Sequence, residues 1–592
     1  MERRSCSPPK RKACDFCYRR KAKCDGQQPR CSNCERFKCD CTYKAASRKV
    51  PSRKQAAIQR QHREFDLQSR VESLECQLKA VLEKVERLEK IDHTVAMPMC
   101  IQREDATEEG SSPFHLPPYR QVLPIIEHYL ATFNVVLPLF APATLLSTVQ
   151  SWYRDPNSRD PVVWAVINVV LALAHHTSSL GDLAPIGDAS TFLNNTQSVL
   201  TEVTMRETHL VNIQVILGLV MLFWTADDLG PALILVGTAL RLAHKLGLNL
   251  RTSSDLYSPS LALQRNRVFW IAYILDRDIS LQSGLAPVQL EGDIDLDLPP
   301  VESKDDLAGF IFCADGYTKM NFFRARVELA KIQGAVYNCV YSAYAQNLPL
   351  EERAQRRARI VNMLDEWRAR IPPDFHPMAL LRAHSPGLSR YLCILYSTSL
   401  SCRALISFAS ASDSFHYSEW MKQLQEYGGK IVMGRNNSHA PVPPGWQALA
   451  DASREYMGLS KTVTLIDPFF TRITLCAHNS SLISLIANRI LDAHHPDVQF
   501  DKDIIERGMK NLDNFARETT RDAIRDLRDI LGRLCSYADV MSGQSIVPML
   551  DFWGEEREIE CLGACVDDQY RENDALMHNM SMPGAVCSDS KK

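Results

Sequence analysis

Cys14-Asp-Phe-Cys17-Tyr-Arg-Arg-Lys-Ala-Lys-Cys24, followed after six intervening residues by Cys31-Ser-Asn-Cys34-Glu-Arg-Phe-Lys-Cys-Asp-Cys41, is the stretch that decides how this chain folds at its N-terminus. The spacing Cys-x2-Cys-x6-Cys occurs twice, the second copy displaced by 17 residues. Each Cys-x2-Cys pair puts two sulfurs one helical turn apart, within reach of one metal ion, and the third cysteine is expected to return on a following strand. Six thiolates cannot supply two separate tetrahedral zinc sites, which need eight ligand positions. They suffice when two sulfurs bridge. The pattern therefore predicts two Zn²⁺ per chain held by Cys14, Cys17, Cys24, Cys31, Cys34 and Cys41. Cys39 competes with Cys41 for the last position. Repeat symmetry favours Cys41 and leaves Cys39 and Cys6 as free thiols.

The two copies differ in charge. Between Cys17 and Cys24 stand Arg19, Arg20, Lys21 and Lys23 with no acidic residue, whereas the charges between Cys34 and Cys41 cancel. Residues 1–50 hold 15 Lys/Arg against 5 Asp/Glu, while the whole 592-residue chain has a net charge of −2. A basic head on an acidic body points to a polyanionic partner for the head alone. The helix starting near Cys14 is the expected face for nucleic acid, because fixed cations beside phosphates supply affinity and a Lys or Arg reaching guanine O6/N7 supplies discrimination.

With these residues in view, the segment Cys14–Tyr43 resembles the fungal Zn₂Cys₆ binuclear zinc-cluster DNA-binding family, with Pro29 in the loop and Thr42-Tyr43 after the last cysteine. The resemblance implies that Cys14 and Cys31 bridge, that Cys17 and Cys24 complete one zinc site, and that Cys34 and Cys41 complete the other. In Arg20-Lys21-Ala22-Lys23-Cys24 it implies that Lys21 reads a CGG-type triplet in double-stranded DNA and that Arg20 and Lys23 lie nearer the backbone. Arg19 and Lys12 join the expected contacts. Lys10-Arg11-Lys12 also reads as a nuclear import signal. Many relatives carry a basic residue directly after the second cysteine. Tyr18 stands there instead, so that phosphate contact is weaker or passes to the tyrosine hydroxyl.

After a basic N-terminal segment (1–13) and the cluster (14–43), residues 44–66 read as a polar linker with Pro51. Leu67, Val71, Leu74, Leu78, Val81, Val85 and Leu88 then alternate spacings of four and three. With Val71, Leu78 and Val85 at a and the others at d, the seam predicts a parallel two-stranded coiled coil over 67–91, and hence a homodimer. The pairs Arg70–Glu75 and Lys84–Glu89 attract between identical parallel chains.

Residues 92–115 read as a disordered linker. Residues 116–548 show helical spacing and almost no alternation, which predicts a large all-α domain and a mostly α chain. Ser258 and Pro259 open a helix that Gly284 closes, and Pro231 and Gly247 bracket another. This region resembles the fungal-specific transcription factor middle domain at Phe269-Trp270, Leu275-Asp276-Arg277, Ser280, Gly284, Pro287 and Asp293-Ile294-Asp295, and again at Gly237–Leu248. Where relatives often have Gly-Arg-Pro, this chain has Gly284-Leu285-Ala286-Pro287. Asp276-Arg277 reads as an internal ion pair and His244 as a helix-end histidine. No phosphate loop, nucleophile elbow or second metal cluster is seen, so no enzyme is expected.

Residues 549–592 form an acidic tail. Its stretch 551–574 holds nine acidic and two basic residues among aromatics, the composition of an activation region or equally of a capping helix. No secretory signal opens the chain, and the apolar stretch Leu210–Ala226 is shorter than the roughly 20 residues of a bilayer span. A soluble nuclear regulator of RNA polymerase II genes is expected, a pathway-specific activator that meets the transcription machinery or coactivators. A small-molecule effector is a candidate partner and a membrane is not. The alternative is a zinc-cluster repressor or scaffold whose helical body recruits a corepressor.

Overall fold

The computed structural model describes residues 13–43, 114–155, 159–177, 187–226, 228–251, 256–383, 386–409, 423–424, 426–430, 441–463, 468–518 and 522–541. The chain divides into two compact units, residues 1–111 and 112–592. The expected import run with Lys12, the linker, the seam from Leu67 to Leu88, all of 92–115 except Phe114 and His115, and the acidic tail lie outside the described residues.

In the first unit two five-residue helices, α1 (Asp15–Arg19) and α2 (Ser32–Arg36), begin directly after Cys14 and Cys31. No strand forms among the described residues of this unit, contrary to the strand expected to carry each third cysteine. The reason is local. The amides of Ala22 and Cys39 turn back to the carbonyls of Cys17 and Cys34, both at 3.0 Å, instead of entering a ladder.

The second unit is a stack of helices. The stretch from Leu210 becomes helix α3 (Leu210–Phe223), buried from Asn212 to Leu222. Its polar residues are satisfied, as buried amides must be: Asn212 donates to the Val203 carbonyl at 2.8 Å and Gln214 to the Leu139 carbonyl at 2.6 Å. Helix α4 (Gly230–Lys245) follows, with Pro231 in its first turn and Gly247 at φ 68 just beyond its end. Helix α5 (Pro259–Ser283) starts after Ser258 and stops at Gly284, whose φ of 69 is the left-handed conformation that glycine adopts without a Cβ penalty. These ends match the sequence expectation.

Two apolar cores run through this unit, and helix α6 (Phe322–Val340) serves both. Phe323, Val327 and Ala330 recur at helical spacing and join the N-terminal core, while Phe322, Leu329, Ile332 and Val336 join the C-terminal one. One departure from an all-α body precedes it. Strands β1 (Phe310–Phe312) and β2 (Lys319–Asn321) form a short antiparallel hairpin, with Gly316 at φ 73 in the turn. Helix Gly387–Phe408 is longer than Leu210–Ala226 and apolar enough to cross a membrane, but most of it is buried against the fold.

Where the cores meet, Asp278 of α5 pairs with Arg326 of α6 and accepts from the side-chain amide of Gln333 at 2.8 Å. Arg326 donates onward to the Thr398 hydroxyl at 2.8 Å. This ion pair borders an apolar cavity of about 30 Å³ that Trp224, Ile274 and Tyr391 also line. That volume holds a water or two and no metabolite.

Candidate metal centre and nucleic-acid face

The 17-residue repeat in sequence is a repeat in backbone. Cys14 and Cys31 are the N-cap residues, with extended ψ of 162 and 155. Arg20 and Phe37 are the C-caps, and the residues after them, Lys21 and Lys38, have φ of 53 and 49. Each helix closes with the same bonds. Lys21 N–H donates to Tyr18 and Ala22 N–H to Cys17; Lys38 N–H donates to Glu35 and Cys39 N–H to Cys34. This is the Schellman closure, normally built on glycine. Lysine holds it here at both positions, at a cost on the order of 1 kcal/mol each for a left-handed L-residue.

These closures bring the sulfurs together. Cys14, Cys17, Cys31 and Cys34 are fully buried and Cys24 and Cys41 partly so. The Cys14 and Cys31 sulfurs stand 3.7 Å apart, Cys14 and Cys34 3.5 Å, and Cys17 and Cys31 3.6 Å. Zinc–sulfur bonds of about 2.3 Å at tetrahedral angles need sulfurs roughly 3.8 Å apart, so the spacing suits zinc. Two sets of four sulfurs, each within 4.8 Å, emerge: Cys14, Cys17, Cys24, Cys31 and Cys14, Cys31, Cys34, Cys41. Both contain Cys14 and Cys31, and neither contains Cys39. This donor set fits two Zn²⁺.

Burial and the thiols of Cys14 and Cys31 push the Cys17 thiol up to about 12, and the same causes raise Cys34 well above its ordinary value. For Cys14 burial pulls upward, but the Cys17 amide and the neighbouring thiols outweigh it and lower the group. The Cys34 amide lowers Cys31. Thiols this crowded bind metal by giving up protons, and zinc replaces S–H with thiolates cross-linked through a shared cation.

Polar ties across the repeats brace the module. Asp15 N–H donates to the Thr42 carbonyl at 2.7 Å, and the Thr42 hydroxyl returns a bond to the Asp15 carboxylate at 3.0 Å. The Asn33 amide donates to the Lys23 carbonyl at 2.8 Å and to the Cys17 sulfur at 3.8 Å. Asp25 accepts the Ser32 amide and hydroxyl. Sequence spacing revealed none of these partners.

Arg19, Arg20, Lys21 and Lys23 are all exposed. Arg19 Nε donates to the Asp15 carbonyl at 3.4 Å. The Arg20 guanidinium carbon lies 4.7 Å from the ring centre of Phe37 and 5.5 Å from that of Phe16. Arg30, the other cation of the loop, faces Asp40 at 3.7 Å. By count, the excess positive charge of the described module belongs to residues 14–24, because the charges from Asp25 to Asp40 cancel.

In the helical body the candidate acid–base residues are structural. Arg277 Nη1 lies 2.7 Å from the Asp276 carboxylate, which also accepts the Val288 and Gln289 amides. His244 sits in the last turn of α4 and meets the Gln289 side chain at 2.6 Å. Asp278 turns instead to Arg326, away from Gln289, which both Asp276 and His244 contact.

Comparison with known proteins agrees with this geometry. Residues 12–50 match the family described as Fungal Zn(2)-Cys(6) binuclear cluster domain, and residues 126–369 match the Fungal specific transcription factor domain. An ABC-transporter-regulating transcription factor of Aspergillus oryzae is 31% identical over 72% of this chain and 47% of its own length. Its counterpart in Aspergillus fumigatus is 30% identical over the same shares. The Fusaridione A cluster transcription factor of Fusarium heterosporum is 28% identical over 48% of this chain and 54% of its own. The chain spans about half the length of these curated relatives. With two shared-cysteine sulfur sets at its N-terminus and the second domain in its helical body, the chain belongs to the fungal Zn(2)-Cys(6) binuclear-cluster transcription factors.

Proposed function

We propose that this protein is a nuclear, sequence-specific regulator of RNA polymerase II transcription that docks on double-stranded DNA through the cationic end of α1. The observation that carries the reading is the pair of four-sulfur sets sharing Cys14 and Cys31, which brace helix α1 with Arg19 in its last turn and Arg20, Lys21 and Lys23 just beyond it. In this reading all six cysteines of the two sets are zinc ligands, and Cys14 and Cys31 bridge. Thirty residues bury too little apolar surface to fold alone, so metal binding supplies the folding free energy. Lys21 reads the base edges of a CGG-type triplet. Arg19, Arg20, Lys23 and Lys12 contact phosphates.

One triplet recurs too often in a genome to define a promoter. Two clusters joined through the seam from Leu67 to Leu88 make the second docking intramolecular, which raises avidity by about 10²–10⁴ without new contacts. The 44–66 linker then sets which triplet spacings are reached. The relatives' names support control of transporter or biosynthetic-cluster genes, and the acidic aromatic tail supports activation through coactivators. A small-molecule effector of the helical body is a further candidate partner. The test is selection of bound sites from random DNA by the full chain. Recovery of paired CGG-type triplets supports the reading, and recovery of no common sequence overturns it.

A further inference from the structure

Arg20 belongs to the cationic repeat, yet much of what holds its guanidinium comes from the neutral one. Phe37 stands one repeat, 17 residues, after Arg20, and both close their helices as C-caps. The two helix ends therefore meet through these side chains, with the guanidinium 4.7 Å from the Phe37 ring centre. Phe16 backs the contact: its ring lies 5.8 Å from that of Phe37, tilted by 46°, and 5.5 Å from the same guanidinium. Phe37 is 52% exposed, so burial alone does not explain an aromatic there. Among the described residues the Arg20 side chain takes no hydrogen bond or ion pair, and its charge is held by ring faces alone.

A guanidinium laid on an aromatic face keeps its rim of N–H donors free for a bidentate anion, and it is pre-ordered before the anion arrives. We propose that Phe37, backed by Phe16, is a positioning residue for DNA binding: it lays Arg20 flat so that the guanidinium rim meets a backbone phosphate. The neutral repeat thus contributes to docking through a ring and not through charge. The inference rests on the reading that the end of α1 meets DNA.

The test is a double-mutant cycle on the full chain, using a duplex of the selected sequence, with zinc per chain measured on every variant. Arg20→Lys keeps the charge but loses the flat fork, and Phe37→Leu keeps apolar bulk but loses the π face. Each should weaken binding roughly two- to five-fold, the scale of an exposed cation–π contact. The double variant should be no weaker than the worse single one, and Phe37→Tyr should bind like wild type. All should retain wild-type zinc. Wild-type binding by Arg20→Lys, or losses that multiply in the double variant, overturns the proposal. So does loss of zinc in Phe37→Leu, which makes the ring part of the fold alone. A wild-type chain that binds no DNA removes the parent reading, and this one with it.

Discussion

The sulfurs of Cys14 and Cys31 stand 3.7 Å apart, and each belongs to both four-sulfur sets. A cation in either set must use both residues, so the two metal positions are not independent. Cys14→Ser removes a sulfur common to both sets and should reduce bound zinc from two per chain to none. Cys39→Ser should retain both, because Cys39 lies in neither set. Cys41→Ser should fall below two. Elemental analysis decides, and full zinc in Cys41→Ser with loss in Cys39→Ser would reassign the sixth ligand.

Metal loading should follow pH in one direction. Protons and zinc compete for the same sulfurs, and in the metal-free chain, where the module has lost its source of folding free energy, ordinary cysteine thiols are mostly protonated at neutral pH. Lowering the pH therefore favours the metal-free form. Zinc uptake should release protons in calorimetry run in buffers of different ionisation enthalpy. Zinc retention should drop between about pH 7 and about pH 4, and occupancy flat across that range contradicts thiolate ligation.

Lys21 tests base reading, and its φ of 53 makes glycine a useful second variant beside alanine. Alanine removes the amine and keeps a Cβ in left-handed backbone, whereas Lys21→Gly removes the amine and suits the backbone. Lys21→Gly should therefore keep its zinc yet lose about 1–3 kcal/mol on the selected site, with poorer discrimination among sites. Wild-type affinity in a titration of Lys21→Gly contradicts the assignment. Lys38→Val, which puts a β-branched residue at φ 49, should instead release zinc to a chelator more readily than wild type.

In the helical body the ion pair of Asp278 and Arg326 is buried on both sides. Asp278→Ala leaves a charged guanidinium uncompensated and should cost about 3–5 kcal/mol. Replacing both partners with apolar residues of similar volume should cost less than the single change. Denaturant melts of the full chain, followed in its helical signal, compare the two. A single variant as stable as wild type would show that the junction of the two cores does not depend on this pair.

These residues also show what sequence reveals and what it hides. The cysteine grid was legible because metal geometry demands fixed spacing, and α5 because Ser258-Pro259 and Gly284 carry strong local end signals. The Asp276–Arg277 pair was legible as neighbours in sequence. The left-handed Lys21 and Lys38 were not, since the usual glycine marker is missing. The Arg20–Phe37 stack joins residues 17 apart that share no apolar period. The hairpin before α6 has strands of three residues, too short to show alternation.

The most direct measurement is the affinity of the full, zinc-loaded chain for a duplex carrying two CGG-type triplets at the selected spacing, set against the same duplex with both triplets scrambled. At near-physiological salt the account predicts a preference of about 10³-fold or more, lost on chelation of zinc. Equal affinity for the two duplexes, or a preference that survives complete removal of zinc, would contradict it.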